Sequence, residues 1–359
     1  MLALWLKATL PCDLSAILVK CRINNASCTL QIRLFCSLLR NGAPAESIRQ
    51  KLHQSRLIRC FSGVSLMLDG AGFGVAVGHH GELVQGLFED DGARLRRALV
   101  SLPCRQLKSR ATFIASDGGG IRVLPGSCDK ARRAAELTIA RFGPPGTGGN
   151  LAIDSNIPVG RGMGSSTADV LASIQAVLDW LEIEPASDEV MRIAVSAETA
   201  CDSTLFKQQA VLFAHRDGIV MEAFRRPLPP IHLISIETTP EVTIDTLEYR
   251  PARYDALEIE TFRPLRSLLR TAIKHADVRM LGRVATASAR INERFLPKPG
   301  LDEIETVGSR FDAIGIQVAH SGTVVGLMFD ALDRDASVNI NGAMDALRHS
   351  GFEAAIFRH

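Results

Sequence analysis

Residues 158–169 read Pro158-Val159-Gly160-Arg161-Gly162-Met163-Gly164-Ser165-Ser166-Thr167-Ala168-Asp169. Three glycines spaced by two lead into a segment whose apolar pattern predicts a helix over Ser165 to Leu181. Glycine lets a backbone turn through positive φ and approach a phosphate closely, and the first N–H groups and dipole of the following helix favour negative charge. Two readings share these residues: an anion cradle with hydroxyls at Ser165 and Ser166, or a serine-capped helix after a plain loop. Three familiar signatures fail here. A P-loop needs a Lys after its last glycine, and the chain has none between Lys130 and Lys207. The even glycine spacing is not Gly-x-Gly-x-x-Gly. No Gly-x-Ser-x-Gly elbow surrounds either serine.

Outward from this loop, the chain from Met67 alternates short apolar strands with helices. Strands are predicted at Gly74 to Val77, Thr112 to Ala115 and Leu151 to Ile153. Helices are predicted at Asp129 to Phe142, capped by Asp129 and stopped by Gly143-Pro144-Pro145-Gly146, and at Ser187 to Ala200 with Ser187 as cap. The connector Arg225-Arg226-Pro227-Leu228-Pro229-Pro230 marks a boundary between residues 67–225 and 226–359. Beyond it come strands at His232 to Ile236, Ile314 to Ala319 and Thr323 to Phe329, and helices near Tyr254 to His275, Val278 to Arg294 and Val338 to His349. The fold class is α+β.

At 359 residues, 46% hydrophobic and 22% charged, the chain is long enough for two globular domains and too apolar for a disordered one. Its apolar runs are too short to span a bilayer, and a net charge of +2 gives no electrostatic reason to expect nucleic acid. Residues 1–66 stand apart, with nine basic residues against two acids and five of the eight cysteines. Their cysteine spacings fit no zinc or redox motif. This leader reads as poorly ordered or as preceding a true start at Met67. Dispersed cysteines at Cys104, Cys128 and Cys201 point to free thiols and a cytoplasmic location.

The loop resembles the second motif of the GHMP kinases, Pro-x-x-x-Gly-x-Gly-Ser-Ser-Ala, through Pro158, Gly162, Gly164, Ser165 and Ser166, with Thr167 at the first Ala position. Gly81-Glu82-Leu83-Val84-Gln85-Gly86 and Val318-Ala319-His320-Ser321-Gly322-Thr323-Val324-Val325-Gly326 sit where that superfamily carries its other motifs. Both look most like the L-threonine kinase branch, which serves cobalamin side-chain synthesis. The resemblance covers about Gly74 to Phe329. It implies a two-domain GHMP kinase fold, with an N-terminal domain like the second domain of ribosomal protein S5 and a ferredoxin-like C-terminal domain.

The same resemblance implies ATP, Mg²⁺ and a small hydroxylated acceptor, with no nucleic-acid or membrane partner; it leaves the oligomeric state open. Pro158, Gly160, Gly162, Met163, Gly164, Ser165, Ser166 and Thr167 would bind the nucleotide, Ser166 and Glu198 the metal, and Asp202 would take the acceptor proton. Glu82, Gln85, His320, Ser321 and Gly322 are acceptor-side candidates. On the predicted helix, Glu198 and Asp202 fall at i and i+4 on one face, where two carboxylates repel by a few tenths of a kcal/mol unless a cation joins them. One departure stands out: many members carry a Pro-Gly-Lys whose Lys lies near the transferred phosphoryl, and here the stretch is Val77-Gly78-His79-His80. Either His79 or His80 substitutes in part for that cation, or the pair is polar filling of a turn. Alternatives are a GHMP kinase for homoserine, a sugar or an isoprenoid precursor, or an inactive nucleotide-binding protein on this fold.

Overall fold

A computed structural model describes residues 18–23, 26–31, 65–66, 70–206, 208–239, 251–319 and 321–358. They fall into two units, Met1–Ala71 and Gly72–His359. In the first, β1 (Leu18–Ile23), β2 (Ala26–Gln31) and β3 (Ser65–Leu66) pair antiparallel in the order β2-β1-β3. The rest of the expected leader lies outside the described residues.

The second unit mixes strands and helices around one large sheet. Its two longest strands are β4 (Ala71–Glu89) and β5 (Leu95–Asp117), joined by a tight turn. Sequence pattern found only fragments of them, because His79, His80, Glu82 and Gln85 interrupt the apolar run of β4. All four are nonetheless buried in the strand. The expectation that the histidines fill a turn is therefore corrected. A segment buried on both faces leaves no alternation to read.

There follow β6 (Gly120–Leu124), α1 (Asp129–Phe142), β7 (Thr147–Ser155), α2 (Ser165–Leu181), α3 (Ser187–Glu198), β8 (Val211–Ala214) and β9 (Ile219–Ala223). The caps expected at Asp129 and Ser187 are instead the preceding Cys128 and Ala186, neither with a side-chain cap bond. Asp129 spends its carboxylate on Arg132, 2.9 Å away. Beyond the proline-rich connector come β10 (Ile231–Glu237), α4 (Ala256–His275), α5 (Val278–Glu293), α6 (Leu301–Arg310), β11 (Gly315–Val318), β12 (Val324–Asp330), α7 (Ala336–His349) and β13 (Glu353–Arg358). A capping box between Asp255 and Glu258 starts α4, and Asp277 caps α5 through the Met280 N–H.

Among the described residues the sheet runs β13-β10-β12-β11-β4-β5-β7-β6, with β8 and β9 branching from β5. Its C-terminal strands meet the N-terminal ones where Val318 of β11 pairs with Glu82 of β4. Side chains of α1, α2 and α3 pack on β5 and β7 in one core, those of α4 and α5 on β4 in a second, and those of α6 and α7 on β10 to β12 in a third. Burying such apolar surface contributes about 25 cal/mol per Å² and fixes which ends of β4, α2 and α3 converge. No helix among the described residues is long and apolar enough to cross a membrane.

Candidate active site

The glycine loop closes onto α2 without a serine cap. Gly160, Gly162 and Gly164 all take positive φ, 74° to 76°, which explains their spacing: every second residue turns left-handed. The helix N-cap is Gly164, which has no side chain to cap with, so the serine-capped reading falls away. Met163 turns its side chain into the core, and its carbonyl accepts the His79 N–H at 3.1 Å, pinning the loop to β4. The rest of the loop, from Gly160 to Ser166, is half-buried, and Pro158 is exposed.

Asp202 lies directly beneath. A Cβ placed on Gly164 would stand 2.9 Å from His79 Nε2 and 3.3 Å from Asp202 Oδ2, so only glycine lets the loop come this close. The helix expected to reach Ala200 ends at Glu198, and Asp202 is on the loop that follows, not on the same helical face. Thr199 stops the helix with φ of 77°, a costly conformation for a β-branched residue. The Cys201 N–H then bonds the His215 carbonyl at 2.9 Å, anchoring the loop. Strain of this kind persists where packing over-determines it, and here it redirects Asp202 toward β4.

His79 Nε2 is 2.9 Å from Asp202 Oδ2, while Nδ1 is 3.3 Å from the Gly81 carbonyl and 3.4 Å from Glu82 Oε1. Burial alone would lower the His79 pKa. The Asp202 carboxylate, by charge and by hydrogen bond, outweighs it, and with Glu82 and the Gly81 carbonyl raises it to about 9. Asp202 mirrors this: burial pushes it up, but the imidazolium and the Thr167 hydroxyl pull it down to about 2. The two therefore form a buried ion pair at neutral pH. His80 differs. Burial, and the charge of His79, lower it to about 4, leaving it a neutral partner of Gln317.

Glu198 forms the second centre, 8% exposed. Thr167 Oγ1 donates to its Oε2 at 3.0 Å and Lys130 Nζ stands 3.4 Å from its Oε1. Burial raises its pKa; Ser166, Lys130 and Thr167 oppose that, and the Asp202 charge reinforces it. Thr167, expected at the nucleotide, is buried with its hydroxyl spent between the two acids: it also receives the Asp202 N–H at 3.5 Å. Sequence reasoning passed over Lys130, a lone Lys in the first turn of a helix with no motif around it.

On the acceptor side, Glu82 is 3% exposed and joins the His79–Asp202 pair. The main chain of Gln85 is fixed to α5: its backbone N–H donates to Ser288 Oγ at 3.0 Å and its backbone carbonyl accepts from Asn292 Nδ2 at 3.2 Å. Gly322 packs on the glycine loop itself, since a Cβ there would collide with the Arg161 carbonyl. Arg161 pairs with Glu237, which accepts from Thr323 at 3.1 Å, so loop and C-terminal turn are tied. Ser321 adjoins this contact half-buried, and His320 lies outside the described residues. His79, Glu82 and Asp202 offer three ligand atoms within 4.8 Å of one another.

The fold is one shared with small-molecule kinases. Homoserine kinase from Cytophaga hutchinsonii superposes with a TM-score of 0.59 over 80% of this chain and 94% of its own, at 15% identity. The family model of the GHMP kinase N-terminal domain matches residues 129–207. L-threonine kinase from Salmonella typhimurium is 34% identical over 211 residues, 57% of this chain and 69% of its own; that of Citrobacter freundii is 34% identical over 184 residues, 50% and 62%. The chain belongs to the GHMP kinases, enzymes that transfer a phosphoryl group from ATP to an alcohol.

Proposed function

We propose that this chain phosphorylates the hydroxyl of L-threonine, giving L-threonine O-3-phosphate for cobalamin side-chain synthesis in the cytoplasm. Likeness to two L-threonine kinases supports the acceptor. The observation that carries the reaction is the Asp202 carboxylate lying against Gly164 at the uncapped start of α2. Free thiols at Cys104, Cys128 and Cys201 suit a reducing compartment.

Phosphoryl transfer asks a protein mainly to position two oxygens in line and to neutralise spreading charge. The N–H groups of the Gly160 to Ser166 loop and the positive end of α2 receive the terminal phosphates. Asp202 accepts the hydrogen bond of the acceptor hydroxyl and, late in the transfer, its proton; at a pKa of about 2 it is a weak base, which suffices where the transition state is loose. His79 supplies the fixed positive charge that the family's Lys would bring, and it keeps Asp202 ionised despite burial.

Ser166 and Glu198 fit Mg²⁺ by donor chemistry: both offer hard oxygens, and the Glu198 carboxylate is buried, so a cation beside it would offset the cost of its charge. Bound there, the ion would neutralise charge on the phosphates. A coupled ADP-release assay with L-threonine, L-serine, L-homoserine and galactose tests the proposal. Threonine should give the highest kcat/KM. ADP release that no acceptor stimulates would overturn it, and a preference for homoserine would move the assignment within the family.

A further inference from the structure

The turn after α5 buries a lysine within reach of the charge of Glu82. Lys298 is 3% exposed. An ammonium carries three donors, and among the described residues this one makes a single bond, to the Leu296 carbonyl at 3.0 Å. No carboxylate among the described residues lies within ion-pair distance, although Glu293 and Glu82 are close enough for their charge to act on it. Burial without a contacting counter-ion drives its pKa down to about 8. Leaving a cation buried and underbonded is costly, so the fold pays for a group that the protein alone does not satisfy.

Other unspent polar ends gather nearby. Gln85 is 6% exposed, and its Oε1 has no hydrogen-bond partner among the described residues; nor does Glu293 Oε2. Gln85 is fixed to the last turns of α5 by Ser288 and by Asn292, and Glu293 accepts the Lys298 N–H at 2.8 Å. Against the last turn of α5 the fold thus holds, among the described residues, two buried acceptor atoms without donors, Gln85 Oε1 and Glu293 Oε2, and a buried ammonium with a single bond. That pairing complements a zwitterion: an α-ammonium for the amide oxygen and carboxylates, and an α-carboxylate for the lysine. Glu82 connects it to the reaction, since its carboxylate reaches both the His79–Asp202 pair and the field of Lys298.

We propose that Lys298 binds the α-carboxylate of the acceptor, with Gln85 Oε1 facing its ammonium, making Lys298 a specificity-determining residue for amino-acid over simple-alcohol acceptors. This rests on the kinase reading above. A charge-assisted bond of this kind is worth ~10- to 100-fold in affinity. The test compares L-threonine with L-threoninol, which keeps the hydroxyl and ammonium but lacks the carboxylate, in wild type, Lys298→Met and Lys298→Arg, with thermal melts to verify folding.

Lys298→Met should raise KM for threonine ~10- to 100-fold with kcat at saturation changed only a few-fold, erase the wild-type preference for threonine over threoninol, and leave KM for ATP alone. Lys298→Arg should restore part of the preference. Equal losses on both acceptors, or an unchanged threonine KM, would overturn the proposal while leaving the kinase standing. If wild type turns over neither acceptor, the kinase reading fails instead. Calorimetric titration of threonine and threoninol into wild type and Lys298→Met then decides the subsite: carboxylate-dependent binding lost in the variant upholds it, and its absence refutes it.

Discussion

Replacing His79 by Gln removes a charge while keeping a side chain of similar reach. Its Nε2 is 2.9 Å from Asp202, where two unit charges attract by roughly 6 kcal/mol at an effective dielectric of about 20. Most of that attraction is offset by the cost of burying both groups, so the catalytic loss is better scaled from single electrostatic contacts to a transition state. These cost about 3 to 4 kcal/mol, a factor of ~10² to 10³ in kcat. The pH profile separates the charge from mere bulk. In wild type at saturating acceptor, kcat should hold across neutrality and fall through a single ionisation near pH 9, as the imidazolium deprotonates. Lys298, at about 8, titrates in the same window, but as an acceptor-binding group it would shift KM and leave kcat. In His79→Gln the alkaline limb should vanish. An acid limb should move up in pH, because burial then acts on Asp202 opposed only by the Thr167 hydroxyl and the charge of His215. A variant that keeps the limb near pH 9, or loses less than tenfold in kcat, would refute the assignment of His79 as the site's cation.

Other outcomes follow from the same geometry. Asp202→Asn should lower kcat by ~10² to 10³ with little change in ATP affinity, measured by steady-state kinetics beside nucleotide titration. Glu198→Gln should raise the Mg²⁺ concentration needed for half-maximal rate by at least about tenfold, read from a metal titration at fixed ATP. Gly164→Ala sets a methyl against His79 and Asp202 at a φ of 75°, and should abolish turnover and weaken ATP binding, checked by nucleotide titration. Thermal unfolding should also follow pH. His79 moves from 6.5 in the unfolded chain to about 9, so its stabilisation is complete below pH 6.5 and lost as pH rises through 9; Asp202 moves from 3.8 to about 2, so its share is present above 3.8 and lost as pH falls through 2. Tm should therefore peak between those windows and decline toward pH 9, a decline that His79→Gln removes.

Local patterns carried much of this fold. The helix over Ser165 to Leu181 was legible to the residue because a glycine loop and a buried apolar run bound it, and β10, β11 and β12 were found to within one residue at each end because they are short and largely apolar, whereas the edge strand β13 was missed. Helix α6 was missed: it presents only Leu301, Ile304 and Gly308 to the core, too few to set a period. The phosphate loop and both acids could be named from spacing and resemblance. Their arrangement could not, since it turns on Thr199 adopting a left-handed conformation that nothing about a threonine announces.

That hidden turn decides which residue supplies the positive charge. Were α3 to continue through Asp202, the acid would project with Glu198 and repel it, and a metal would have to settle both. Instead the chain breaks after Glu198, sending Asp202 to His79 and leaving Glu198 to Thr167 and Lys130. Two carboxylates four residues apart thereby acquire opposite fates, one lowered by an imidazolium and one raised by burial. Separation of that kind suits the proposed roles, Asp202 as a base held ionised and Glu198 as a ligand of the metal. It also explains how a member of this family works without the usual lysine: an ordinary histidine in solution is mostly neutral at pH 7, but one locked between Asp202 and Glu82 stays charged, so the missing cation is made by its neighbours.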